Sequence, residues 1–195
     1  GTLDPLATGL LPICFGDATK FAQALLDARK KYVATVRFGI ATTTGDAEGA
    51  IVREESATFT RAELERTLPR FVGTIAQVPP LHSALKFEGR KHYEYARAGV
   101  SVPRPAREIE ILELSLLAWN TPDAVLDVTC SKGTYIRVLA EDIGRALGCG
   151  AHLAGLALHA AADPRGSVPL GGASGGIAGV LAYYAVILPH AKLGF

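Results

Sequence analysis

The sequence predicts an α+β domain. Stretches with strand periodicity and stretches with helix periodicity follow one another without the regular strand–helix–strand alternation of a parallel α/β sheet. Size and composition agree with a packed fold. The chain has 195 residues, one ordinary domain or one with an appendage, and a chain of that size buries roughly 70% of its unfolded surface. Hydrophobic residues make up 49% and charged residues 20%, which excludes a disordered chain. No internal repeat is present.

Taken in order, Asp17 is expected to cap a helix running to about Arg29, with Phe21, Ala22, Leu25 and Ala28 on one face. Tyr32–Phe38 alternates, with Tyr32, Ala34, Val36 and Phe38 on one side, and reads as a strand. Thr44–Gly49 is turn chemistry, and Ile51–Arg53 is expected to return as the paired strand. Thr60 and Glu63 form a capping box ahead of a short helix that Pro69 stops or bends. Val78-Pro79-Pro80 opens a polar segment, rich in basic and aromatic residues, that ends near Arg107. Within it, Arg90–Ala98 is expected to be a short helix closed by Gly99. Glu108–Trp119 and Ala124–Ser131 read as two strands joined by the Asn120–Asp123 turn. Thr134–Leu147 carries the clearest helical stripe, formed by Ile136, Leu139, Ala140, Ile143 and Leu147, and Gly148 ends it. Beyond Leu158 the pattern weakens, and Gly171–Gly176 reads as a linker.

Several function classes are disfavoured at this stage. The net charge of +1 announces no nucleic-acid partner, so any basic surface is local. Cys14, Cys130 and Cys149 are widely spaced and form no Cys-x-x-Cys, which predicts reduced thiols and a compartment such as the cytoplasm. Cys149 and His152 have ligand-like spacing, but no second pair completes a site, and no metal is expected. No signal peptide is visible. Ile177–Leu188 is too short for the ~20 residues of a membrane span and is expected to be a buried terminal element. The chain contains no Met and opens inside what reads as a motif, so it is expected to be a fragment or a processed chain.

The residues that can carry chemistry have two readings each. Asp4 before Pro5 is a good helix start, the carboxylate capping and the proline taking the first helical position. It is also a carboxylate ionised at neutral pH, from an ordinary pKa near 3.9, but spacing favours the cap and nothing in the periodicity marks it as catalytic. Tyr32 reads as a core tyrosine on an amphipathic strand or as an aromatic face for a base. Arg137 reads as an exposed helix residue in an ion pair or as a carboxylate partner. Lys86–Arg107 places Lys86, Arg90, Lys91, Arg97, Arg104 and Arg107 against only Glu88 and Glu94, with His92, Tyr93 and Tyr95 interleaved. It is either a solvated charged helix or an RNA clamp.

A resemblance decides among these. Gly1–Phe21 (GTLDPLATGLLPICFGDATKF) closely resembles the aspartate motif of the bacterial TruB family of tRNA pseudouridine synthases. Further blocks follow in family order: Lys31-Tyr32 with Thr42–Gly49, then Pro79–Arg97 (PPLHSALKFEGRKHYEYAR), Cys130–Arg137 (CSKGTYIR) and Gly148–Leu156 (GCGAHLAGL). Five ordered blocks covering about four-fifths of the chain are far more specific than one short motif.

The resemblance implies a pseudouridine synthase fold, a mixed and largely antiparallel sheet with flanking helices and a basic, thumb-like insertion at about 79–107. It implies Asp4 as the nucleophile and Arg137 as its ion-pair partner. Tyr32 would pack against the flipped base, and Tyr135 and Leu156 would line the pocket. Lys86, Arg90, Lys91, Tyr93, Arg97 and Lys132 would contact RNA. The implied substrate is the T-loop uridine of tRNA, gripped through the T arm by a monomer, with no cofactor and no metal. A module that binds or folds tRNA without turnover, and a scaffold role in a guide-RNA particle, are the alternatives.

The resemblance also implies departures from the family. Relative to it, the catalytic unit (1–158) lacks the segment preceding the motif, with a histidine that helps enter the T loop. Residues 159–195 form a divergent tail without a recognisable PUA-type domain. Thr2, His82, Ala157 and Leu158 stand where the family has Ala, Tyr and two arginines.

Overall fold

The structure of the protein, a computed structural model, describes residues 6–9 and 14–159. Asp4, the Gly171–Gly176 linker and the Ile177–Leu188 run lie outside the described residues. In chain order, β1 (Ala7–Gly9) leads to a 3₁₀ turn at Gly16–Phe21, α1 (Ala22–Asp27) and β2 (Lys30–Phe38). A ribbon of β3 (Ile40–Thr42) and β4 (Ile51–Glu54) precedes α2 (Arg61–Thr67), a second 3₁₀ turn at Leu68–Phe71 and β5 (Gly73–Gln77). A small hairpin, β6 (Lys86–Phe87) and β7 (Arg90–Lys91), runs into α3 (His92–Arg97). The long hairpin of β8 (Arg107–Asn120) and β9 (Asp123–Cys130), then α4 (Ile136–Ala146) and β10 (Ala151–His159), complete the order.

Six strands form one mixed sheet, β1-β10-β2-β9-β8-β5, in which only the β1/β10 pair is parallel. Alternation fixes which face is buried. Ala34, Val36 and Phe38 of β2 and Ala124, Leu126, Val128 and Cys130 of β9 all point into the core. Against that face α4 lays Ile136, Leu139, Ala140 and Ile143, and α2 adds Leu64. Each fully buried aliphatic side chain contributes roughly 1.5–3 kcal/mol. The far end is closed by aromatic edges: Phe59 stands 5.0 Å from Phe38 and 5.3 Å from Trp119, ring centroid to centroid. Gly144 lets α4 approach β10 closely, since a Cβ there would sit 2.9 Å from the Ala151 backbone nitrogen.

The capping box is present: the Glu63 N–H donates to the Thr60 hydroxyl, and the Thr60 N–H donates to the Glu63 carboxylate at 2.7 Å. The Thr60 N–H, and after it the Thr60 hydroxyl that donates to the same carboxylate at 2.8 Å, hold the Glu63 carboxyl below the usual carboxylate range.

Several expectations are corrected. Ile51–Glu54 does not pair with the Tyr32–Phe38 strand but with Ile40–Thr42. Gly39, at φ +87°, breaks the run after Phe38 and turns the chain out of the sheet. Arg90 and Lys91 belong to a hairpin strand, not to the helix, because Glu88 and Gly89 both take positive φ and form a tight turn. Asp17 makes no cap: the segment starts as a 3₁₀ turn after Phe15, with Asp17 inside its first turn. Ala22 and Ala28 of that segment's stripe are half-buried, whereas the side chains of Phe21 and Leu25 lie outside those described. Among the described residues, no helix is long and apolar enough to cross a membrane.

Candidate functional site

Arg137, in the first turn of α4, is only 6% exposed. Its Nη1 donates to the Thr44 carbonyl and its Nη2 to the His82 carbonyl, each at 2.8 Å. It also faces the Asp46 carboxylate at 3.4 Å. Asp46 is 6% exposed and is itself held by the Thr44 hydroxyl (2.6 Å) and the Glu48 N–H (3.1 Å) on Oδ1. A planar guanidinium with two main-chain acceptors and a carboxylate has its direction fixed, which a lysine would not reproduce. The guanidinium therefore joins three segments distant in sequence: the Thr42–Gly49 turn, the Pro79–His82 strap and α4.

The turn is anchored to the sheet at the same place. Ala47 N–H donates to the Leu153 carbonyl and Leu153 N–H to the Gly45 carbonyl, at 3.1 and 3.0 Å. Asp46 thus lies beside β10 where the strand bulges between Leu153 and Gly155. Past the bulge, Leu156 pairs with Ala34 of β2 on one side and with Ala7 of β1 on the other. Paired residues share a face, and Tyr32 is two positions from Ala34. Tyr32 and Leu156 accordingly both pack, half-buried, against the core-bearing face that carries α4. Gly9 permits the β1/β10 approach, with φ +116° and the Leu158 backbone directly against the position a Cβ would take.

The described residues after Pro5 are a turn at Leu6 and a strand at Ala7–Gly9. They are not the helix that a capping Asp4 would start. Tyr135 directly precedes α4, half-buried, with its backbone held by the Gln77 side chain. Tyr32 and Leu156 thus share one sheet face, Arg137 is tied to β10 through Asp46, and Tyr135 is tied through Gln77 to β5 at the other edge of the sheet.

The basic insertion forms a separate surface. Phe87 and Tyr95 pack edge-on at 6.0 Å, and the Tyr95 hydroxyl donates to the Phe87 carbonyl. Arg90 lies 5.1 Å from the Tyr95 centroid, while Lys91 (5.3 Å) and Arg97 (5.4 Å) both lie over Tyr93. These cation–π contacts hold the positive charges together on a short hairpin–helix unit. Lys86 is exposed on the same hairpin, opposite Lys91. Buried His92 faces Ser83, and backbone bonds from His92 to Leu85 and from Tyr93 to Ser83 fasten α3 to the strap that ends on Arg137. Lys132 stands apart, paired with Asp27 at 2.7 Å; that contact holds the Asp27 carboxyl below the usual range.

A cavity of about 540 Å³ opens behind the Thr43–Thr44 turn and His82, with Glu141, Asp142 and Arg104 in its wall. Burial pushes the Glu141 carboxyl up, and neighbouring Asp142 adds to the shift. Among the described residues, no group of three or more His, Cys, Asp or Glu side chains is disposed to hold a metal ion. Asp46 and Gln77 were missed by sequence reasoning. A carboxylate two residues after a threonine in a glycine-bounded turn was the available signal for Asp46. For Gln77 no local signal distinguishes it from a surface amide.

Residues 1–136 match the model of the TruB family pseudouridylate synthase N-terminal domain. Among curated proteins, the chain is 61% identical over 156 residues to the tRNA pseudouridine synthase B of Chromobacterium violaceum. It is 58% identical over 156 residues to that of Pseudomonas aeruginosa. Each alignment covers 80% of this chain and 51% of the relative, so the chain spans about half the length of the curated relatives it matches. Among solved structures, a crystal structure of a Cbf5-Nop10-Gar1 complex superposes with a TM-score of 0.60 at 32% identity, covering 81% of this chain and 38% of the matched one. An H/ACA RNP bound to a substrate RNA containing 2'-deoxyuridine gives 0.55 at 27%, covering 81% and 36%.

Proposed function

This chain belongs to the TruB family of pseudouridylate synthases, and from that premise we propose that it isomerises the T-loop uridine of tRNA to pseudouridine. Asp4 is the nucleophile and Arg137 its ion-pair partner. Tyr32 packs against the flipped base, and Tyr135 and Leu156 line the pocket. The observation that supports this reading is the strand register that sets β1, Leu156 and the strand of Tyr32 side by side. The β1/β10/β2 register aligns Ala7, Leu156 and Ala34, and the oriented Arg137 guanidinium sits where β10 bulges. Only Pro5 and Leu6 separate Asp4 from Ala7, three steps along the chain and a tether of at most about 11 Å.

The chemistry follows from these groups. Asp4 is ionised at neutral pH and needs no activating base. A guanidinium within about 4–6 Å keeps a desolvated carboxylate charged, and contacts to Thr44 and His82 hold this one in orientation. Attack of the Asp4 carboxylate on ribose C1' forms an ester bond there and breaks the uracil N1–C1' bond, and the carboxylate leaves again when carbon 5 takes its place. The base turns, C5 bonds to C1', the C5 proton leaves to water, and N1 takes up a proton, so the product is an isomer of the substrate. Extruding the base costs a few kcal/mol, part of which an aromatic face returns. No redox or group-donor step is required.

The insertion at 79–107 grips the T arm through Lys86, Arg90, Lys91, Tyr93 and Arg97, with Lys132 as a further contact from the α1 side. Residues 1–158 act as the catalytic unit, as a monomer in the cytoplasm, and 159–195 as an appendage. The stand-alone type is favoured over a guide-RNA scaffold by the bacterial relatives near 60% identity. Nucleoside analysis of unmodified tRNA after incubation tests the reading. Pseudouridine formed by the parent and lost in Asp4→Asn supports it, whereas tRNA binding without pseudouridine identifies a non-catalytic module.

A further inference from the structure

Gln77 closes β5 and is 2% exposed, the most buried of the charged and polar side chains among the described residues. Its amide makes two hydrogen bonds to a single residue. Tyr135 N–H donates to Gln77 Oε1 at 2.8 Å, and Gln77 Nε2 donates to the Tyr135 carbonyl at 3.1 Å. The side chain thereby imitates the edge of a neighbouring strand, donor and acceptor in register.

The residue so held is the N-cap of α4. Tyr135 is extended (φ −99°, ψ 106°) and no side chain caps the helix there. Its carbonyl also accepts the Leu139 N–H, the first bond of α4. Arg137 is two residues further on. From Gln77 itself, the strap of Val78, Pro79 and Pro80 leads to His82, whose carbonyl accepts Arg137 Nη2. One amide therefore references the backbone before Arg137 and the start of the strap that fixes its guanidinium to a single point of the sheet.

We propose that Gln77 is a positioning residue for the isomerisation. Through the Tyr135 backbone it holds the Tyr135 ring and the Arg137 guanidinium in place against the reacting nucleotide. The inference rests on the reading of the chain as a pseudouridine synthase. A residue that merely satisfied a buried backbone would cost stability when replaced, and would leave the turnover of the folded enzyme alone. A positioning residue lowers turnover in the folded enzyme, because displacing reacting groups by about 1 Å costs on the order of 100-fold.

The test compares the parent chain, Gln77→Leu and Gln77→Glu on a T-arm RNA, well below each protein's melting temperature. In Gln77→Leu, kcat is expected to fall about 10- to 100-fold with KM within about twofold. Gln77→Glu keeps the shape and the acceptor. Ionised, it repels the Tyr135 carbonyl; protonated, it donates to it again. Its kcat relative to the parent is therefore expected to rise from about pH 8 toward pH 5, a signature stability loss does not produce. The proposal is overturned by a Gln77→Leu kcat within twofold of the parent, by a loss confined to KM, or by a flat pH ratio for Gln77→Glu. If Gln77→Leu does not fold, the pH ratio of Gln77→Glu decides alone. A parent that forms no pseudouridine refutes the functional reading instead. Amide exchange then decides whether Gln77 holds Tyr135: faster exchange of that amide in Gln77→Leu, which removes its acceptor, supports it, and unchanged exchange overturns it.

Discussion

Replacing Gly9 by alanine separates the fold from the site it supports. Gly9 has φ +116°, a conformation open to glycine and strained for alanine. A Cβ there would overlap the Leu158 carbonyl oxygen and stand 2.8 and 2.9 Å from its nitrogen and carbonyl carbon, against 3.4–4 Å for ordinary contact. All three are backbone atoms of β10, which β2 holds from the other side, so β1 must be the strand that moves, by roughly 1 Å. The strained backbone costs about 1–3 kcal/mol if β1 stays. If it detaches, the loss is the hydrogen bonds of a three-pair ladder, each worth about 0.5–1.5 kcal/mol. Because β1 is a short edge strand, the global fold loses no more than about 5 kcal/mol either way. With Asp4, three positions before β1, as the proposed nucleophile, about 100-fold in rate is expected to be lost with the strand. Initial rates of pseudouridine formation, paired with urea unfolding midpoints, measure both. A Gly9→Ala protein that folds and keeps a rate within threefold of the parent refutes the reasoning.

Asp46→Ala removes the carboxylate facing buried Arg137 and is expected to cost about 3 kcal/mol in urea unfolding. Asp46→Asn keeps the turn's shape, so it should lose less stability yet turn over at least tenfold more slowly, measured as kcat. Gly144→Ala gains helix propensity of about 1 kcal/mol, but its methyl meets Ala151 at 2.6 Å (Cβ) and 2.9 Å (N). Overpacking against backbone wins, and the urea midpoint should fall by the equivalent of about 1–3 kcal/mol. Burial pushes the Cys130 thiol up to about 11 and raises that of Cys149 as well. A group with that pKa is about one part in a thousand thiolate at pH 8. Iodoacetamide is therefore expected to label only half-buried Cys14 in the native protein, and all three thiols after denaturation, as read by peptide mass spectrometry.

Legibility in the sequence followed local periodicity. Tyr32–Phe38 and Ala124–Ser131 alternate strictly, and Thr134–Leu147 carries an unbroken stripe, so β2, β9 and α4 were readable from side-chain spacing alone. The strand β10 was not. Ala151–His159 (AHLAGLALH) is rich in Ala and Leu and has no β-branched residue, and it is a strand because β1 and β2 flank it. The strand β1 exists only through that pairing. Ile51–Glu54 looked like a partner for β2, but strand pairing is decided by the turn between strands, and Gly39 redirects the chain first. Helical spacing by itself reads Arg137 as exposed, yet it is buried, and family resemblance alone singled it out. Asp46 and Gln77 act through atoms 91 and 58 positions away along the chain, and no local pattern encodes such a contact.

The central claim is that Asp4 attacks a uridine whose C5 ends bonded to the ribose. Release of tritium from a T-arm RNA labelled at C5 of the target uridine reads that bond change directly. The account predicts about one tritium released per RNA with the parent chain, and none with Asp4→Asn while the RNA remains bound. Equal release by parent and Asp4→Asn, or tight binding by both with no release, would contradict it.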